Sequence, residues 1–578
     1  MVKKILFLII CCISVTYCFS QSKQVQLIQS DSLTGIQSGF LRVIKPVFTH
    51  EGASLAADSA NFNQQLNAFD AFGHVVITQS DGTTIYSDLL NYNGNSRIAV
   101  LTNNVRLRDR DALLTTNYLT YNLATKIGTY TNEGKINNGK DTLSSKTGYY
   151  FSSTRDAYFR HNVVINSKDA MIKSDTLRYN SGSKIAYLYG PTHIYGKNDT
   201  LYTENGQYNT ETDQANFWKS NRYTQGSKSL VGDSLFYDRK AGFGRATGNI
   251  LFQDTTDNVS LRGQLAVYKS VDESILITKT PYVVIVTKDS LKLDSIWITA
   301  DTLFSKKVLK SELKLTKKPV LKKDSELSDL DEEVKEVSLA DTMKLSAKNS
   351  SIDLKDSIAE SKLDTSTIRV MSFYRNVKIF KSDLQARADS VFYSYSDSTI
   401  RCYNAPMIWT QGNQLSADTI YMELKNREMD NMLLHRNGLI VSTDGDSTKF
   451  NQVKGKMITG LFKDDKLSKM FIDGNAESIF YMKDSTSYIG MNRSMSLRIE
   501  ITLDDNKPAK TNFKNTVDMH IFPIDKIPRD MDVLKGFSWK PKDRPKSKDE
   551  IIPSSINAAP SIAPATKATD AISNIRKS

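Results

Sequence analysis

The sequence predicts an all-β repeat protein in which bent antiparallel strands stack into two facing sheets. Three observations carry that prediction. Tyr92, Tyr121, Tyr150, Tyr179, Tyr208 and Tyr237 follow one another at a constant interval of 29 residues, the mark of a stacked repeat. Columns of apolar and small residues hold fixed positions around these tyrosines. Two sets of polar turns recur in every period.

The columns define the strands. Seven positions before each Tyr stand Ile85, Leu114, Leu143, Ile172, Leu201 and Leu230, and five before stand Ser87, Thr116, Ser145, Ser174, Thr203 and Gly232. Two before come Leu90, Leu119, Gly148, Leu177, Gly206 and Leu235. Side chains two apart share a face of a strand, so the first two columns agree with each other, as do the last column and the Tyr. The two pairs are out of phase, which requires a bend or bulge in the middle of each strand.

The second half of the period repeats the design. A column without large side chains (Ala99, Gly128, Ala157, Ala186, Ala215, Gly244) is followed by an Asn/Gly-rich kink region and then by Leu107, Ile136, Ile165, Ile194, Tyr223 and Phe252. One turn set reads Asn93-Gly94-Asn95-Ser96 and Asn180-Ser181-Gly182-Ser183, the other Asn137-Asn138-Gly139-Lys140 and Gly196-Lys197-Asn198-Asp199. Asn and Gly tolerate positive φ, and Asn, Asp and Ser side chains bond back to the backbone, so these are turns with a mechanism. A parallel β-helix shares this period; the paired turn sets favour the antiparallel array.

The pattern extends on both sides. Phe62 and Tyr268 mark outlying units, and Ala388 to Tyr393 and Ala417 to Met422 restart it 29 residues apart. Repeated Asp-Ser/Thr-apolar-x-Tyr segments (Asp175 to Tyr179, Asp233 to Tyr237) feeding Gly248-Asn249-Ile250, with Gly73-His74-Val75 as a variant, resemble the OstA/LptA family of periplasmic lipopolysaccharide-transport proteins. The resemblance implies an elongated V-shaped antiparallel β-jellyroll whose open seam shields acyl chains. It covers residues 50–304 closely and 370–480 more loosely, and nothing after 500 offers the lipid-facing strands of an outer-membrane barrel.

The expected organisation is a signal peptide over 1–20, a lead over 21–49, a jellyroll block over 50–304 and a charged linker over 305–368. A second block over 369–500, an ordered coda over 501–545 and a disordered tail over 546–578 complete it. The signal reading rests on Lys3-Lys4 followed by the apolar run Ile5 to Val15, too short for a comfortable span, with cleavage after Ser20. Tyr17 beside Cys18 disfavours a lipoprotein anchor. Three of the four cysteines lie within that signal, so Cys402 is expected alone. The linker reading rests on 13 Lys and 13 Asp/Glu without Gly or aromatics between 305 and 368.

Composition excludes little. A formal net charge of +12 over so long a chain is a solvated surface or an attraction to anionic partners, and nucleic acid is not expected of an exported protein. No Walker loop or dinucleotide fingerprint occurs, and His50, His74, His161, His193, His435 and His520 lack metal spacing. The column Asp88, Asp175 and Asp233 carries Lys146 at a matching position, which argues for a role in the kink over a cation site.

The expected function is therefore a non-enzymatic, cofactor-free periplasmic bridge for lipopolysaccharide or a related lipid, meeting other transport components by sheet-edge stacking. Its candidate lipid groove is lined by Ile85, Leu90, Tyr92, Leu114, Leu119, Tyr121, Leu143, Tyr150, Ile172, Leu177, Tyr179, Leu201, Tyr208, Leu230, Leu235 and Tyr237. A structural or adhesive solenoid with a dry core is the alternative, and a polysaccharide-acting β-helix enzyme a further one.

Overall fold

The computed structural model describes residues 24–321 and 366–552, apart from positions 37–38, 111, 138, 140, 169, 257, 290–291, 314, 316–317, 426–427, 444–447, 464–465, 486, 505–506 and 516. The expected signal peptide, most of the linker and most of the tail lie outside these residues. The protein is an all-β antiparallel jellyroll array. It divides into two compact units, Met1–Ala241 and Gly242–Ser578.

In the first unit the long unbroken strands pair antiparallel with their sequence neighbours, as in Asp156–Asn166, Met171–Asn180, Ile185–Tyr195 and Asp199–Asn209. The bend predicted from the phase change is present. Register breaks between Arg160 and Val163, where His161 and Asn162 adopt φ of 63° and 56°. Asn103 and Asn104 do the same at 64° and 50°. Two successive left-handed residues turn the strand, and Asn and Gly adopt that conformation at least cost. Where a partner is broken in two, one piece pairs on each side of the bend: Ala112–Asn122 faces Ile127–Tyr130 with one half and Gly134–Asn137 with the other.

The Ser/Thr column holds the bend together. Ser87, Thr116, Ser145, Ser174 and Thr203 are buried, and each hydroxyl donates to the carbonyl two residues on, at 2.9, 3.3, 3.0, 3.1 and 2.9 Å. The bulge removes a ladder partner from that carbonyl, and the hydroxyl replaces it. At the Gly232 position Asn221 does this work, donating to the carbonyls of Gly232 and Asp233 at 3.1 and 2.9 Å. The Asp column clamps the kink from outside: Asn104 donates to Asp88 at 2.6 Å and His74 bonds Asp58 at 2.7 Å.

The strands extend beyond the limits read from the sequence. The lead already contributes Gln26–Gln29, Ser32–Gly35, Leu41–Ile44 and Val47–His50. At the other boundary Thr302–Leu309 continues into the charged stretch and pairs with Thr367–Phe380. The repeat read from the sequence reaches only the first residues of Thr302–Leu309 and does not extend into the lead strands.

The second unit places the coda. Lys507–Lys514 and Asp518–Pro523 are strands paired with Ser487–Asp504. From Ile524 the chain leaves the sheet and runs irregularly, with short 3-10 turns at Ile524–Lys526, Pro541–Asp543 and Lys548–Glu550. Its anchors Leu534, Pro545 and Ile551 are buried, although the tail was expected to begin at 546. Beneath it one register row runs Trp297, Phe380, Gln385, Trp409, Gln414, Val441, Gln452, Ile479 and Arg493.

Candidate functional site

Strand register gathers the candidate residues of the first unit into three inward rows. In the first, tyrosine alternates with a small residue: Tyr92, Ala99, Tyr121, Gly128, Tyr150, Ala157, Tyr179, Ala186, Tyr208, Ala215 and Tyr237 are successive cross-strand partners. Alternation explains the small column, since each ring occupies the space its Ala or Gly neighbours leave. A second row on the other side of the bend links Ile85, Leu107, Leu114, Ile136, Leu143, Ile165, Ile172, Ile194, Leu201, Tyr223 and Leu230. The third, beside the bend, holds Leu90 and Leu119 and continues through Phe159, Leu177, Leu188, Gly206, Phe217 and Leu235.

Phe159, Leu188 and Phe217 were missed as site residues. They stand nine positions after a Tyr, with Leu101 and Tyr130 in the same column, so the repeat signals them too. Gly148 and Gly206 fit here: a Cβ at Gly206 would lie 2.6 Å from Phe217 Cδ1, and one at Gly148 would lie 2.4 Å from the Tyr130 ring. The aromatic rings fill what the glycines vacate.

The rows differ in exposure. The row beside the bend stays shut along its length, with Leu90, Leu119, Leu177 and Leu235 all buried. The two outer rows open progressively. Tyr92 and Tyr121 are fully buried, Tyr150, Tyr179 and Tyr208 are half-buried, and Tyr237 is 41% exposed. In the second row Ile85, Leu114 and Leu143 are buried while Ile172, Leu201 and Leu230 are half-buried. An apolar trough therefore opens toward residues 201–237, floored by the shut row. The candidates thus separate: Ile85, Leu90, Tyr92, Leu114, Leu119, Tyr121, Leu143, Leu177 and Leu235 are packed core, and the remaining seven are reachable from solvent.

The tyrosine hydroxyls reach polar partners. His50 Nδ1 lies 2.5 Å from the Tyr92 hydroxyl, Tyr150 donates to Asp109, and Tyr208 donates to Asp213 at 2.6 Å. Burial raises all three hydroxyls well above the ordinary phenol value, aided at Tyr150 and Tyr208 by those carboxylates, and it pushes Tyr121 up to about 12. The Tyr92, Tyr150 and Tyr208 rings are thus neutral, each with its apolar body in the row and its polar end tethered, whereas the Tyr121 hydroxyl is buried without a hydrogen-bond partner among the described residues.

The outward face is unlike the rows. Arg178, next in sequence to Leu177, pairs with Asp156 at 2.9 Å and lies over the Tyr158 and Tyr187 rings at 5.7 and 5.1 Å. Among the described residues no group of three or more His, Cys, Asp or Glu could hold a metal ion. Cys402 is buried, and burial pushes its thiol up to about 12, which leaves it unreactive. No helix among the described residues is long and apolar enough to cross a membrane.

No curated protein matches the sequence. Among solved structures, LptH of Pseudomonas aeruginosa, described as the LptA homologous periplasmic component of the conserved lipopolysaccharide transport device, aligns with 24% of this chain and 95% of its own at 12% identity. The TM-score is 0.19. Two overlapping segments, residues 23–175 and 160–233, match the family described as OstA-like protein, and together they cover the three-row array as far as residue 233. Over these residues the chain is similar to that family.

Proposed function

We propose that the chain is a non-enzymatic lipid carrier of the lipopolysaccharide-transport type, acting in the periplasm and holding acyl chains in the trough of its first unit. The observation that carries this reading is the selective opening of two apolar rows above a shut third row. A dry structural core would stay closed on all three. Burial of each CH₂ contributes about 0.8 kcal/mol, so a continuous apolar trough holds an acyl chain without a dedicated polar site. The OstA-like match over residues 23–233 supports the same reading.

The exposed strands Gln26–Gln29 and Ser32–Gly35, each paired on one side alone among the described residues, suit the stacking of another transport component by strand addition. The seven reachable candidates are the proposed lipid contacts. Photo-crosslinking side chains placed at Leu201 and Tyr208 should label lipopolysaccharide in cells, while one at the outward Tyr202 should not. Equal labelling at all three, or none at Leu201 and Tyr208, makes the rows structural core and favours the closed, ligand-free solenoid.

A further inference from the structure

We infer that the glutamine ladder of the second unit is a peptide-binding track that reads backbone, with residues 529–552 of this chain as its ligand. Gln385, Gln414 and Gln452 are each at most 2% exposed, and besides local bonds (Gln414 accepts Trp409 Nε1 at 3.2 Å, Gln385 donates to the Lys381 carbonyl at 2.7 Å, Gln452 to the Phe450 carbonyl at 3.3 Å) each side-chain amide reaches the coda. Gln414 donates to the carbonyl of Ser538 at 2.7 Å and accepts the amide of Lys540 at 2.7 Å. Gln452 repeats the grip, donating to Asp532 O at 2.8 Å and accepting Leu534 N at 2.8 Å. Each amide thus takes a carbonyl and an N–H two residues apart, the pair that a neighbouring strand would take, but from a segment crossing the strands. Gln385 takes a side chain instead, accepting Arg544 Nε at 2.7 Å.

The contacts are ordered. Moving along the segment from Met531 to Lys548, the sheet partners run Arg493, Gln452, Gln414, Gln385 and Trp297, the reverse of their order in one register row. Apolar anchors complete the recognition. Leu534 enters a cluster with Ile479, Tyr481 and Met491, and Phe537 and Trp539 lie 5.3 and 5.4 Å from the Phe450 ring. The face used is the one opposite the inward column of Ala386 and Leu415, because successive strand residues point to opposite sides. A coda packed only by chance hydrophobic contact would not place buried glutamines at 385 and 414, one repeat length apart, under its backbone.

Backbone recognition by side chains needs no continuous chain, so the segment should bind when supplied separately. A specific protease site inserted between Pro528 and Arg529, both exposed, allows the folded full-length chain to be cut. The released piece should co-elute with the body, exchange against excess labelled peptide of residues 529–552, and give saturable anisotropy on cut chain and none on uncut chain. A Leu534→Asp peptide, which leaves the protein untouched, should bind at least tenfold more weakly. Gln414→Ala with Gln452→Ala in the cut chain should weaken the parent peptide by a similar factor, with sheet circular dichroism unchanged. Absence of saturable binding to cut chain overturns the inference, as does a Leu534→Asp peptide that binds like the parent.

Discussion

The two units fill equivalent rows with different side chains. In the first, Tyr alternates with Ala or Gly and the row opens from Tyr92 to Tyr237. In the second, the matching row passes through Met371, Tyr393, Ile400, Met422, Met432, Gly460 and Met470, with Met422, Met432 and Met470 buried at 3, 4 and 8% exposure. Methionine adapts to whatever space its neighbours leave and needs no vacant partner, so this row packs shut from Met422 to Met470, while Met371, Tyr393 and Ile400 before it are half-buried. A rigid ring paired with a small residue leaves room wherever neighbouring strands spread. The same bent strand therefore makes a sealed interior or an open trough according to one column. The outer faces differ as well: the second unit's is covered by the coda, and its glutamines are buried, whereas Thr142, Met171 and Thr200 at the matching positions of the first unit are half-buried.

The largest effect is expected at the row beside the bend. Leu177 is wholly buried between Phe159 and Leu188, so Leu177→Asp places a carboxylate where neither water nor a partner reaches it, at a cost of several kcal/mol. Loss of the first unit's cooperative melt is expected, while Leu201→Asp, at a half-buried rim, should keep its melt and lose lipid. A Leu177→Asp protein that melts like the parent would mean that this row is open and the contrast between rows is unfounded.

Next is the bend of the second unit. There Arg498 and Asp473 form a two-pronged ion pair at 2.5 and 2.9 Å, both side chains almost fully buried. Asp473→Ala strands a buried guanidinium and should lower stability by about 3–5 kcal/mol in denaturant titration. Asp88→Ala, at the exposed clamp on Asn104 in the first unit, should change it far less. Comparable losses would show that the two bends are held alike.

A third, smaller loss is expected for Gly206→Ala. The new Cβ would meet Phe217 at 2.6 Å and the Asn216 carbonyl at 2.8 Å, and overpacking of this kind costs about 1–3 kcal/mol. Thermal melting checks it, and an unchanged melting temperature would show that the floor of the trough is loosely packed.

The smallest effect concerns acid. Burial pushes the Asp156 carboxyl up, but hydrogen bonds from Arg178, Asn180 and Thr154 more than offset this and hold it below the ordinary value. Its stabilising contribution is therefore present above the unfolded carboxylate pKa, about 4, and is lost as pH falls through the lower folded value. Arg178→Gln should flatten the acid limb of the first unit's stability curve.

The sequence by itself determined the strand columns, the bend and the turns, because these are local. A period of two fixes which side chains share a face, and a change of phase demands a bulge wherever the chain bends. The turns follow the same rule: Asn180 and Asn209 accept the amides of Ser183 and Thr212 at 2.8 and 3.0 Å, and Lys184 and Asp213 follow at φ of 60° and 59°. Only the tertiary structure decided which members of a column are reachable. Leu114 and Leu201 stand in the same column, the first buried and the second half-buried, and that difference depends on how far strands several places away have spread. The partners of the coda were not legible in the sequence, since Leu534 and Gln452, Lys540 and Gln414, and Arg544 and Gln385 lie 82, 126 and 159 residues apart. No periodic pattern spans those separations, and the glutamines are satisfied only once the strap is folded back over the completed sheet.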